Sequence, residues 1–172
     1  VGNNNVAKVA HAAGWGVAGV LGSGPNDEDA LSAENPLVEM CGPVVIDPSH
    51  SDYIGATLGS NNTAELTAIG EALIWLAHHC REIEADRTRC GFGPVVVRYD
   101  SDYAAKSVMG VYNGKKNVEL IGQVRQVYAD AQAALQSMRR SCGAGTANNG
   151  IKFSHVKGHS GHRWNERADE LA

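Results

Sequence analysis

Three stretches of this chain hold residue types that suit phosphodiester chemistry better than packing. One is Val156-Lys157-Gly158-His159-Ser160-Gly161-His162, followed by Asn165-Glu166-Arg167-Ala168-Asp169. It sets a histidine on a glycine-flanked loop and a carboxylate ten residues later, on what reads as a helix. The others are Asn61-Asn62-Thr63-Ala64-Glu65-Leu66 and Tyr99-Asp100-Ser101-Asp102-Tyr103. Glu65, Asp100 and Asp102 fall at a strand end or in the first turns of helices, where a sheet can gather side chains into one cluster. Like charges gathered at ~4 to 6 Å raise one another's pKa unless cations are supplied. Carboxylate oxygens are the ligands Mg²⁺ prefers, and two such ions ~4 Å apart can activate a water and stabilise a leaving oxygen at phosphorus. The constellation predicts metal-assisted phosphodiester hydrolysis.

Each acid also has a plainer reading. Glu65 stands three residues after Asn62 and would close a capping box at a helix start. Asp100 would cap the following helix, and Asp102 in its first turn would favour the positive end of the dipole. Asp169 would be a solvent-side acid beside Arg167. The conjunction of all of them favours chemistry over four separate structural duties. Zinc binding by His155, His159 and His162 is a competing reading, but no cysteine stands close enough in sequence to complete a tetrahedral set.

The elements that must position these groups follow from periodicity. Gly14 to Leu21 alternates small and apolar residues and reads as a strand. It also spells GxGxxG at Gly14, Gly16 and Gly19, but no strand precedes it and no helix follows, so it is not a dinucleotide loop. Gly22 to Gly42 is polar, acidic and broken by Pro25 and Pro36, and reads as a surface insertion. Pro43–Ile46 and Tyr53–Leu58 read as extended pieces. Leu66, Ile69, Leu73, Leu76 and Ala77 recur at helical spacing over 62–85, with Asn62 as the cap. Val95-Val96-Val97 is a buried-type strand ending at Asp100, followed by a short helix over 101–109 and a long one over 117–138. Ile151–His155 is a strand, and a last helix opens near Arg163. The order β-β-α-β-α-α-β-α predicts one α/β domain with a mixed sheet flanked by helices.

At 172 residues, with 43% hydrophobic and 20% charged side chains, the chain can bury a single core. No apolar run approaches the ~20 residues of a membrane helix, so no membrane partner is expected. The net charge of −4 excludes a generally basic nucleic-acid coat. Its distribution is uneven: residues 1–60 hold Lys8 against Asp27, Glu28, Asp29, Glu34, Glu39, Asp47 and Asp52. Any phosphate-facing surface therefore belongs to the later part. The four cysteines, Cys41, Cys80, Cys90 and Cys142, make no CxxC pair, which points to a reducing, intracellular compartment rather than a disulfide framework.

The Lys-Gly-His-Ser-Gly-His run, the Asn-Asn before Glu65 and the strand-end Asp100 together resemble type 1 ribonuclease H. The resemblance covers nearly the whole chain outside 22–42, and implies the ribonuclease H-like fold. It implies Glu65, Asp100 and Asp169 as ligands of two Mg²⁺ ions, with Mn²⁺ as a substitute, and His159 as the mobile-loop histidine assisting proton transfer or product release. Asn61 and Asn62 resemble the pair that reads the minor groove of an RNA:DNA hybrid, and Asn3 the asparagine of the first loop. Asn117 resembles a residue lining a DNA-phosphate pocket, and Asn165 a polar residue near the active centre. The basic protrusion of some members is absent, so hybrid affinity would be weak, or would rest on Lys106, Lys115, Lys116, Lys157 and Arg163 or on a separate binding module. The family's first aspartate lies on an opening central strand that would fall just ahead of Val1. The expectation is therefore a monomeric domain truncated at both ends. Its parent would cleave the RNA strand of hybrids, and residues 1–172 by themselves would be an impaired catalyst. The alternative is a non-catalytic module of the same fold that binds nucleic acid or protein.

Overall fold

A computed structural model of the chain describes residues 12–22, 31, 33–86, 93–113, 115–143 and 150–172. Strands β1 (Gly14–Gly19) and β2 (Val38–Pro43) precede helix α1 (Asn61–Ala85). Then come β3 (Val95–Tyr99), α2 (Asp102–Val108), α3 (Val118–Ser141), β4 (Ile151–His155) and α4 (Arg163–Leu171). Element order is that expected. One boundary is not: β2 begins inside the expected 22–42 insertion, while Pro43–Ile46 contributes only its first residue to a strand and Tyr53–Leu58 none. The signal was the alternation of Val38, Met40 and Gly42, half-buried, with exposed Glu39, Cys41 and Pro43. It is a one-sided strand pattern hidden among acids and prolines.

Helix α1 is one wall of the core. Its Leu66, Ile69, Leu73, Leu76, Cys80 and Ile83 are buried against Leu120, Val124, Leu135 and Met138 of α3. Gly70 lets the two helices close, since a β-carbon there would sit 3.1 Å from Val124. The start of α1 differs from the expected Asn62 cap. Ser60 is the N-cap: its hydroxyl accepts from the Thr63 amide at 3.3 Å, while Thr63 Oγ1 accepts from the Ser60 amide at 2.9 Å. A hydroxyl thus does the work expected of a carboxylate, and Glu65 is left without a capping duty.

The sheet is split. β1 pairs antiparallel with β2, and β3 pairs parallel with β4 in register Val95 to Ile151; no ladder joins the two halves among the described residues. The β3–β4 half is pinned to α3 by Phe153, which meets Tyr128 edge-on at 5.5 Å and Tyr99 at 6.3 Å. The β1–β2 half carries α4. β-carbons at Gly14 and Gly16 would collide with the carbonyls of Ala172 and Ala168, so those glycines exist to bring helix and strand together. That is the structural use of the GxGxxG run. Among the described residues no helix is long and apolar enough to cross a membrane.

Candidate active site

Asp100 follows directly on β3, where the strand ends and α2 has not begun. Ser101 caps α2 by accepting from the Ala104 amide at 3.3 Å, so Asp100 does not act as the expected alternative cap. Its carboxylate instead accepts from Asn165 Nδ2 at 3.3 Å. Gly158 lies against it: a β-carbon there would be 3.1 Å from Asp100 Oδ2. The loop before α4 needs that glycine to pass the aspartate. Asp102 behaves as a plain surface acid, paired with Lys106 at 2.6 Å, and belongs to no cluster.

Glu65 stands in the second turn of α1, half-buried. Its carboxyl is pushed up to about 7, first by burial and then by the charges of Asp100 and Asp169. Asp169, on the last turns of α4, is also raised, by burial and by Asp100, with His159 acting the other way. It is not paired with Arg167, whose guanidinium holds Glu39 at 2.7 Å and Glu170 at 3.0 Å. Glu65, Asp100 and Asp169 line one cavity of ≈730 Å³, together with Asn61 and Asn165. Three acids from three elements thus line one cavity, and Glu65 and Asp169 both feel the charge of Asp100.

His159 sits beside Asp169. It is 91% exposed, in the left-handed region at φ 51°, with Nδ1 3.8 Å from Asp169 Oδ2. The loop around it is closed by local bonds: Ser160 Oγ donates to the Lys157 carbonyl, and the Gly161 amide donates to Glu166 Oε1 at 3.0 Å. His162 caps α4, its Nδ1 accepting from the Asn165 amide at 3.3 Å. These contacts hold the backbone and leave the His159 ring in solvent. Lys157 is exposed on the same loop.

The remaining nominated residues scatter. Asn62 is exposed in the first turn of α1, beside the cavity-lining Asn61. Asn117 lies elsewhere, at the start of α3. Held left-handed at φ 55°, it makes no side-chain cap; its Nδ2 donates to the Tyr103 hydroxyl at 3.2 Å, and that hydroxyl donates to the Lys116 carbonyl at 3.3 Å. Asn3 lies outside the described residues. Glu166 and Gly158 were missed; the glycine's place beside the histidine was a signal, whereas the Glu166 bond depends on how the loop folds back.

The zinc alternative fares poorly, because His162 Nδ1 is taken by the helix cap and exposed His155 meets Tyr99 edge-on at 5.5 Å. Carboxylate oxygens fit Mg²⁺ in kind. In closeness they do not: among the described residues no three His, Cys, Asp or Glu side chains are near enough to share one ion.

A strand-end aspartate, a helix-borne glutamate and a second helix-borne aspartate border one cavity of an α/β fold. The family model RNase H matches residues 29–172. The ribonuclease H of Tropheryma whipplei (strain Twist) is 32% identical over 129 residues, 74% of this chain and 68% of that protein. The ribonuclease H of Janthinobacterium sp. (strain Marseille) is 30% identical over 130 residues, 75% of this chain and 78% of that protein. The solved structure of LC11-RNase H1, isolated from compost, overlaps loosely: TM-score 0.45 and 20% identity over 94% of this chain and 92% of that one. This chain belongs to the ribonuclease H family.

Proposed function

We propose that the parent protein hydrolyses the RNA strand of RNA:DNA hybrids endonucleolytically by a two-metal mechanism, and that residues 1–172 by themselves are an impaired catalyst. The observation that carries the reading is the shared cavity wall of Glu65, Asp100 and Asp169, with Glu65 raised to about 7 by burial and its two acidic neighbours. Such a site is short of positive charge, and a buried acid group with no structural duty is otherwise a cost. Two Mg²⁺ ions, or Mn²⁺ in their place, would supply that charge and a polarised water. Glu65, Asp100 and Asp169 are their ligands. The family resemblance expects a further aspartate from the family's opening strand to join them.

The chain's own residues divide the rest of the work. Asn165 orients the Asp100 carboxylate through its amide. His159, in solvent beside Asp169, accepts or delivers a proton at the departing oxygen or helps release product. Asn61 and Asn62 at the start of α1, with Asn3, read the minor groove and ribose hydroxyls. Lys157 and Asn117 contact phosphates.

Cleavage of labelled RNA in RNA:DNA, RNA:RNA and DNA:DNA duplexes tests the reading, with residues 1–172 compared with a chain extended upstream. The expected result is cutting of the hybrid alone by the extended chain, abolished by Glu65→Gln, Asp100→Asn or Asp169→Asn and slowed by His159→Ala. Equal cutting of all three duplexes overturns it. Hybrid binding without cutting by the extended chain would instead establish the non-catalytic module of the same fold.

A further inference from the structure

The loop that carries His159 runs straight into the cap of α4, and the bonds at that junction are displaced from the usual pattern. His162 is the N-cap and accepts from the Asn165 amide through Nδ1. In an ordinary capping box the residue three positions past the cap reaches back to the cap's own amide. Here that residue is Asn165, and its side chain is turned to Asp100. The next residue, Glu166, reaches back instead, and it goes one residue further, to the amide of Gly161 at 3.0 Å. The cap of α4 is thereby extended into the His159 loop. Two left-handed residues lie in that loop, His159 at φ 51° and Gly161 at φ 81°. Glycine takes this region freely, whereas a histidine keeps it only where its surroundings impose it. Ser160 Oγ, donating to the Lys157 carbonyl, closes the turn on itself; the Gly161 amide, donating to Glu166, ties the turn to the helix that bears Asp169. The His159 ring cannot supply that anchorage, since it is 91% exposed and stands 3.8 Å from Asp169 Oδ2, beyond hydrogen-bond length.

We propose that Glu166 is a positioning residue for His159: by accepting from the Gly161 amide it fixes the loop against α4 and so holds the imidazole beside Asp169. The inference rests on the hydrolytic reading for what His159 does there, and on bond geometry alone for how it is held. Asn165 and Glu166 divide the first turns of α4 between them, one facing the strand-end aspartate and the other the histidine loop. What position 166 needs is an acceptor oxygen, which a side-chain amide offers as well as a carboxylate does. A direct role for its charge is the reading to separate. Asp169 is pushed up by burial, then by Asp100 and least by Glu166, so Glu166 is also an acid near the cluster. A further metal ligand would need that charge; a latch would not.

The test compares Glu166→Ala, Glu166→Gln, His159→Ala and the double variant His159→Ala/Glu166→Ala in the chain extended upstream. Backbone ¹⁵N relaxation reads the loop directly. In Glu166→Ala the order parameters of Ser160 and Gly161 should fall from about 0.85 to below about 0.6 while α4 stays rigid, and in Glu166→Gln they should hold. Hybrid cleavage with Mg²⁺ reads the consequence. Glu166→Ala should lower kcat by roughly 10-fold to 100-fold with little change in KM, and by no more than His159→Ala does. The double variant should be no slower than His159→Ala alone, because a residue that acts through the histidine has nothing left to lose once the histidine is gone. Glu166→Gln should restore most of the rate. Any of four results overturns the proposal: unchanged loop order in Glu166→Ala, an unchanged kcat in that variant, a loss in Glu166→Gln as large as in Glu166→Ala, or a double variant far slower than His159→Ala. Absence of cutting by the unsubstituted extended chain sinks the hydrolytic reading alone, and the relaxation data still decide whether Glu166 holds the loop.

Discussion

Glu65 shows how a side chain can be released for chemistry by its neighbours. Ser60 and Thr63 cap α1 between themselves, so the glutamate one turn later has no backbone group to satisfy and sits half-buried opposite Asp100 and Asp169. Its folded-state pKa of about 7 lies above the ordinary 4.5. The native state therefore holds its proton more tightly than the unfolded chain. The associated stability is fully present below about 4.5 and is lost as pH rises through about 7. Asp169 is shifted in the same direction and adds to the loss. Glu65→Gln mimics the protonated form, so its melting temperature should match the parent's at pH 5 and exceed it at pH 8 by a few °C. Melts in metal-free buffer check this, and a variant less stable than the parent at pH 8 would contradict it.

Elements are positioned by small residues and hydroxyls at their ends. Ser60→Ala should cost about 0.5–2 kcal/mol by leaving α1 uncapped. Asn62→Ala, at the position the sequence suggested for the cap, should stay within about 0.5 kcal/mol. Urea denaturation of the two variants distinguishes the assignments. Glycines offer a second contrast. Gly16→Ala would drive a β-carbon into the Ala168 carbonyl and should cost about 1–3 kcal/mol, because α4 must move off β1. A β-carbon at Gly122, inside α3, meets nothing within 4 Å. Gly122→Ala should therefore stabilise by about 0.5–1 kcal/mol through helix propensity. These are the same residue change with opposite signs, decided by what lies beyond the backbone.

Across the whole molecule, charge is segregated and part of the nominated cationic surface is already engaged. Lys106 pairs with Asp102, and Arg163 donates to the carbonyls of Ala33 and Glu34 at 3.0 Å. Of the five cations that the sequence nominates for phosphates, Lys115, Lys116 and Lys157 are exposed and make no such ties among the described residues. Three phosphate contacts predict that hybrid affinity falls with salt at a log–log slope of about −3. Anisotropy titrations in EDTA at several salt concentrations measure it, and a slope near −10 would require a basic surface that these residues do not provide.

The chemistry-bearing residue types, the helix periodicities and the element order were legible in the sequence, because they depend on spacing along one chain. Glu65, Asp100, Asp169 and His159 were nominated by the family resemblance, with which their strand-end, helix and loop settings agree. Asp100 escapes capping only because Ser101 takes that role, and Asp169 is free of Arg167 only because Glu39 and Glu170 hold the guanidinium. Such competitions are settled by distances between residues far apart in sequence. The start of β2 within 22–42 was missed because pairing with β1, not local composition, makes it a strand. The pairing of the described strands into two ladders, β1 with β2 and β3 with β4, is likewise a tertiary fact, because register is decided between residues far apart in sequence.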